Sequence, residues 1–97
     1  MKMTTATNRV WCGIVFTDKE WAEMQSGKAS LRTTINNILE CGLPLLEMLK
    51  ENKTLTPAEN AIMKRIEDLV QAAQDCPTVF AECSETMLIA FGFTRAA

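Results

Sequence analysis

The sequence predicts a mainly α fold, a small single-domain bundle of three to four helices with a short extended N-terminal segment. Three observations point there. Apolar residues recur at three- and four-residue steps over 31–49 and 58–73, the period of a helix with one buried face. Two Thr-x-x-Glu spacings, Thr17 with Glu20 and Thr56 with Glu59, mark helix starts. The chain has 97 residues, 47% of them apolar, with three Pro and four Gly, which suits one folded core and not two. The domain is expected over 9–97, behind a polar, flexible tail at 1–8.

The first element is Arg9-Val10-Trp11-Cys12-Gly13-Ile14-Val15-Phe16, rich in β-branched and aromatic residues and short enough for a strand. It has no obvious partner. The other short extended stretch is Phe91-Gly92-Phe93-Thr94. The segment is therefore read as half of a two-stranded ribbon, as an edge paired with another chain, or as packed coil, the last two favoured equally. In the next element Thr17 is the cap, with Phe16 and Trp21 at the two positions that staple a helix start, and Ser26-Gly27 stops the helix.

From Ser30 a longer stripe of Leu31, Ile35, Ile38, Leu39, Leu45, Leu46 and Leu49 is interrupted by Gly42 and Pro44. Proline removes a backbone donor and crowds the preceding turn. The apolar phase runs through the interruption, so a kink is expected there. Thr56, Pro57 and Glu59 then open a helix at cap, first and third positions. Its inner face is Ala58, Ala61, Ile62, Ile66, Leu69, Val70 and Ala73, and it pairs with the preceding helix as an αα-hairpin. After Asp75-Cys76-Pro77 a last helix is expected over about 78–90, with Val79, Phe80, Cys83, Met87 and Phe91 on one side and Gly92 as its stop.

The composition restricts function. With no histidine and no tyrosine, imidazole cannot serve as base, shuttle or metal ligand. No GxSxG elbow, phosphate-cradling glycine loop or HExxH is present. The carboxylate pairs Glu47 with Glu51 and Glu82 with Glu85 have helical neighbour spacing and read as solvated faces. No enzyme activity, catalytic residue, metal or cofactor is expected.

Cys12, Cys41, Cys76 and Cys83 include no CxxC pair, and on a continuous helix Cys76 and Cys83 would stand about 10 Å apart, beyond disulfide reach. They are read as reduced, buried thiols. The opening residues lack the apolar stretch of a secretory signal, and no run approaches the roughly 18 to 20 residues that cross a bilayer. A cytoplasmic product without a membrane span is expected.

Ten basic against twelve acidic residues give a net charge of −2, which disfavours nucleic acid. A helix-turn-helix across 33–51 would present Leu45-Leu46-Glu47-Met48-Leu49-Lys50-Glu51 to base edges, the wrong chemistry for reading them. The remaining way to act is surface contact. Trp21 has a structural role as the staple, whereas the sequence assigns none to Trp11, and tryptophan is enriched at interface hot spots. The expected contact surface is Val10, Trp11, Ile14, Phe16 and Trp21, facing another protein or a second copy of the chain as a homodimer. Small chains of this kind are common among phage and mobile-element inhibitors of host machinery, anti-CRISPR proteins among them, a likeness of size and composition alone. The alternatives are a nucleic-acid-binding or transcription-regulating module using Lys28, Arg32, Lys50 and Lys53, and a Cys-ligated metal protein drawing Cys12 and Cys41 to Cys76 or Cys83.

Overall fold

Thr17 opens the first helix as its spacing requires: its hydroxyl accepts from the Glu20 N–H at 3.1 Å, and the Glu20 carboxylate accepts from the Thr17 N–H at 2.9 Å. A computed structural model describes residues 9–94; the tail expected over 1–8 lies outside the described residues. The elements are β1 (Val10–Trp11), β2 (Ile14–Val15), α1 (Asp18–Gln25), α2 (Leu31–Cys41), α3 (Leu43–Lys50), α4 (Pro57–Asp75), α5 (Pro77–Ala81) and α6 (Glu85–Ala90). The fold is a small, mainly α single domain with one antiparallel hairpin.

Local chemistry sets most boundaries. Phe16 and Trp21 meet with ring centroids 6.1 Å apart, closing the staple over the start of α1. At the other end Gly27 takes φ +79, and the Lys28 and Gly27 N–H groups bond the Glu23 and Met24 carbonyls, satisfying acceptors that the last turn would leave bare. Ser30 caps α2 by accepting from the Thr33 N–H at 3.0 Å. Thr56 and Glu59 repeat the reciprocal cap at α4, with Pro57 in its first turn.

Two of the expected helices are each divided, so four become six. At Gly42 the backbone stays right-handed, φ −88 and ψ −12, but its N–H turns to the Leu39 carbonyl and Pro44 offers no donor to continue the ladder. The interruption separates α2 from α3 where a kink within one helix was expected. Gly42 is buried because the junction lies against α4: a Cβ built there would strike Ile66 and come within 2.9 Å of the Phe91 ring. The last helix, expected as one piece, breaks at Glu82 to Ser84. Ser84 becomes the cap of α6, accepting from the Met87 N–H at 3.4 Å, while its own N–H donates to Asn36 Oδ1 at 2.7 Å. The Asn36 amide and the Arg32 guanidinium in turn donate to the Glu82 and Ala81 carbonyls. Side chains of α2 thus take up groups at the end of α5 that a continuous helix would have paired internally.

The core is built around Phe16, Ile35, Leu39, Ile66, Leu69, Val79 and Leu88, each at most 1% exposed. Helix α4 packs on α2, α5 and β2, so its main partner in the preceding pair is α2 and not α3. Its inner face is Ile66, Leu69, Val70 and Ala73; Ala58 and Ala61, expected there, are exposed. Phe93 seals the far end, stacked on Phe80 with centroids 5.3 Å apart, after Gly92 turns the chain with φ +100.

Candidate functional site

The extended segment pairs with itself. Val10 stands opposite Val15 and Trp11 opposite Ile14, joined by the two-residue turn Cys12-Gly13 with φ values of +51 and +85. Both are positive, as the tight turn that matches strand twist requires, and glycine at its second position accepts this without strain. The segment is therefore a two-stranded ribbon folded on itself, neither packed coil nor paired with 91–94. The Phe16 N–H donates to the Arg9 carbonyl at 2.9 Å and closes the hairpin mouth.

Residues opposite one another in an antiparallel pair share a face, so the register sorts this segment into two sides. Ile14 is 5% exposed and Trp11 is half-buried against the core. The outer side carries Val10 at 44% and Val15 at 57% exposure. Among the expected contact residues, Ile14 and Phe16 are thus corrected to core positions with no surface to offer. Trp21 is half-buried beneath the staple. Val10 remains exposed, and Val15, which sequence reasoning missed, joins it. The signal for Val15 was the alternation around Cys12-Gly13, which becomes readable only when those two residues are taken as a turn.

Arg65 on α4 anchors the hairpin. Its guanidinium donates to both Glu20 carboxylate oxygens at 2.8 and 3.2 Å and to the Val15 carbonyl at 3.1 Å, tying α1 and β2 to α4. Burial pushes the Glu20 carboxyl up, but the Arg65 guanidinium and the Thr17 N–H outweigh it and hold the group below its ordinary 4.5. A depressed carboxylate contributes stability that is present above about pH 4.5 and is lost as pH falls through its lower folded value. Arg65→Ala is expected to lower the unfolding free energy by about 1–2 kcal/mol at neutral pH. In urea titrations that difference should shrink as pH falls below 4.5 and through the lower folded value of Glu20; a cost independent of pH would mean that the ion pair is not its source.

Beside the hairpin lies a groove of about 480 Å³ lined by Arg9, Ile14, Asp18, Arg65 and Asp68 among others. Arg9 reaches Asp18 at 2.7 Å, and Lys64 reaches Asp68 at 2.7 Å. Cations and carboxylates alternate there, so the groove carries no strong field of one sign. The basic residues considered for nucleic acid are largely neutralised locally: Arg32 lies 3.7 Å from Glu82, Lys50 3.5 Å from Glu47 and Lys53 3.0 Å from Glu51.

All four cysteines are free, and only Cys83 is buried; Cys12 and Cys41 are exposed and Cys76 half-buried. Burial pushes the Cys83 thiol up to about 11, and its Sγ donates to the Val79 carbonyl at 3.2 Å. Desolvation, then the neighbouring Cys76, push the Cys12 thiol above its ordinary 9.0, while backbone N–H groups at the start of α5 hold Cys76 below that value. Among the described residues no group of three or more His, Cys, Asp or Glu is placed to hold a metal ion, and no helix is long and apolar enough to cross a membrane. Compared with protein-family models, curated proteins and solved structures, the chain matches none of them.

Proposed function

We propose that this chain is a small non-enzymatic module of the cytoplasm that binds another protein, a second copy of itself included, as a regulator, adaptor or inhibitor. The contact surface is the outer side of the hairpin. The observation that supports this is the cross-strand pair of exposed valines, Val10 and Val15. It sits on a two-stranded ribbon to which no third strand is added among the described residues. Apolar β-branched side chains on a short, unextended sheet suit addition of a partner strand or a flat apolar contact. Trp11 lies on the opposite, inner side and is half-buried against the core, so the apolar contact rests on the two valines. Inhibition of host machinery by a mobile-element product is one form such a module takes.

The test is the double variant Val10→Asp with Val15→Asp, whose side chains point away from the core. Its helical circular-dichroism signal and melting profile should stay close to wild type. Light scattering over a concentration series, and affinity capture from the native host lysate, should show loss of the partner that the wild-type chain binds, with affinity reduced at least tenfold, about 1.4 kcal/mol. Equal self-association and equal capture by the two proteins would overturn the assignment of this face.

A further inference from the structure

The groove beside the hairpin, about 480 Å³ in volume, falls within the ~300–1,000 Å³ of small-ligand sites. Two walls frame it. The hairpin and the start of α1 bring Arg9, Val15 and Asp18, and α4 brings Arg65, Asp68 and Leu69, which at positions i, i+3 and i+4 share one helix face. Val15 is exposed and offers an apolar rim, while Ile38 and Leu69, both buried, close the floor. The hydrogen bond from the Phe16 N–H to the Arg9 carbonyl makes the next pair along the ribbon turn its backbone groups outward. The Val15 carbonyl accordingly meets Arg65 on α4, and the Val15 N–H on the same edge faces the same way.

Two cations and two carboxylates thus line one groove, and each has an opposite charge of the protein beside it: Arg9 with Asp18, Arg65 with Glu20, Asp68 with Lys64. A lone anion or a lone cation would meet a balanced field. Two features remain open. Arg9 reaches Asp18 through Nη1, but its buried Nε has no hydrogen-bond partner among the described residues, an orphan donor of the kind that native structures rarely leave. Nε is also one prong of the two-donor edge that matches a carboxylate. The Asp68 side chain is 59% exposed and its partner Lys64 is 68% exposed, so solvent weakens that pair and leaves the carboxylate open to a second ammonium.

We propose that this groove binds a small zwitterion with an apolar body, an α-amino acid or short peptide, with its carboxylate on the Arg9 guanidinium, its ammonium on Asp68 and its apolar side chain on Val15. Such a ligand brings one charge of each sign and leaves the net charge of the groove unchanged. It also gives the Arg9 Nε the acceptor that the described residues do not, once a side-chain rotation brings that edge to the groove. Val10 lies outside the groove, so the site is separable from the contact made by the valine pair.

Leucyl-leucine is the probe, titrated into the isotopically labelled full chain and followed by nuclear magnetic resonance of the backbone amides. Saturable shifts should appear at Gly13, Val15, Thr17 and Asp68 and be absent from α6. Blocking both charges, as N-acetyl-leucyl-leucine amide, should weaken binding to the wild-type protein about tenfold, a comparison that needs no variant. Asp68→Asn, a change on an exposed side chain, should weaken leucyl-leucine about fivefold and leave N-acetyl-leucyl-leucine, which has no ammonium, unchanged. Arg9→Lys keeps a cation for Asp18 but removes Nε, and should weaken both peptides while the helical circular-dichroism signal stays as in wild type. Absence of saturable shifts at the groove, equal binding of the doubly blocked peptide, or an Asp68→Asn protein that binds leucyl-leucine as wild type does would overturn the proposal.

Discussion

Phe16→Ala is expected to lower the unfolding free energy by about 3–5 kcal/mol, a large part of what a domain of this size possesses. The side chain is 1% exposed and joins three pieces: it ends the hairpin through its N–H to Arg9, stacks obliquely on Trp21 over the start of α1, and belongs to the same buried cluster as Ile38 and Leu69. Truncation leaves a cavity in the buried cluster, and it removes the staple as well. Phe16→Leu keeps most of the volume and should cost under about 1.5 kcal/mol. Urea unfolding followed by far-ultraviolet circular dichroism decides the matter. A Phe16→Ala midpoint close to wild type would move Phe16 out of the core and back to the contact surface that the sequence suggested.

Gly42→Val is the second large effect, and here two forces act in opposite directions. The Gly42 backbone is right-handed, φ −88 and ψ −12, so an L side chain meets no conformational penalty. Helix propensity alone would favour replacing this glycine with alanine by about 1 kcal/mol. Packing decides the sign. Any Cβ at this position collides with Ile66, which is fully buried, and approaches the Phe91 ring to 2.9 Å. Valine adds two methyl groups to that collision, and overpacking of this kind costs about 3 kcal/mol. Alanine, with propensity working against strain, should lose about 1 kcal/mol. Thermal melts of the two variants should therefore fall below wild type in the order alanine, then valine. A stabilised Gly42→Ala protein would show that α4 does not press on the α2–α3 junction as described.

Legibility followed the distance along the chain over which each interaction acts. The caps at Thr17 and Thr56 and the stops at Gly27 and Gly92 use residues at most five positions apart, and each was readable from spacing alone. The hairpin is equally local but weakly marked, because Cys12-Gly13 lacks the Asn or Asp that usually announces such a turn, and a ribbon is only one of three readings that the segment allows. The same weak marking merged the two sides of the segment, so that Ile14 and Phe16 were grouped with Val10 and Trp11 while Val15 was left out. The break before α6 was less accessible still. A serine followed by glutamate can sit inside a helix or start one, and the Asn36 carbonyl oxygen that claims the Ser84 N–H belongs to α2.

By itself, the sequence determined that this chain is mainly helical, where most of its helices begin and end, and that imidazole chemistry is closed to it, because propensity, capping and side-chain inventory act between neighbours or need no neighbour at all. The tertiary structure alone decided which apolar residues of the hairpin face outward, why position 42 is glycine, and that Arg65 ties the hairpin and α1 to α4. Those facts depend on α4 arriving against segments remote in sequence. No local pattern encodes that approach, since it is set by how the apolar faces of several elements fill one shared core.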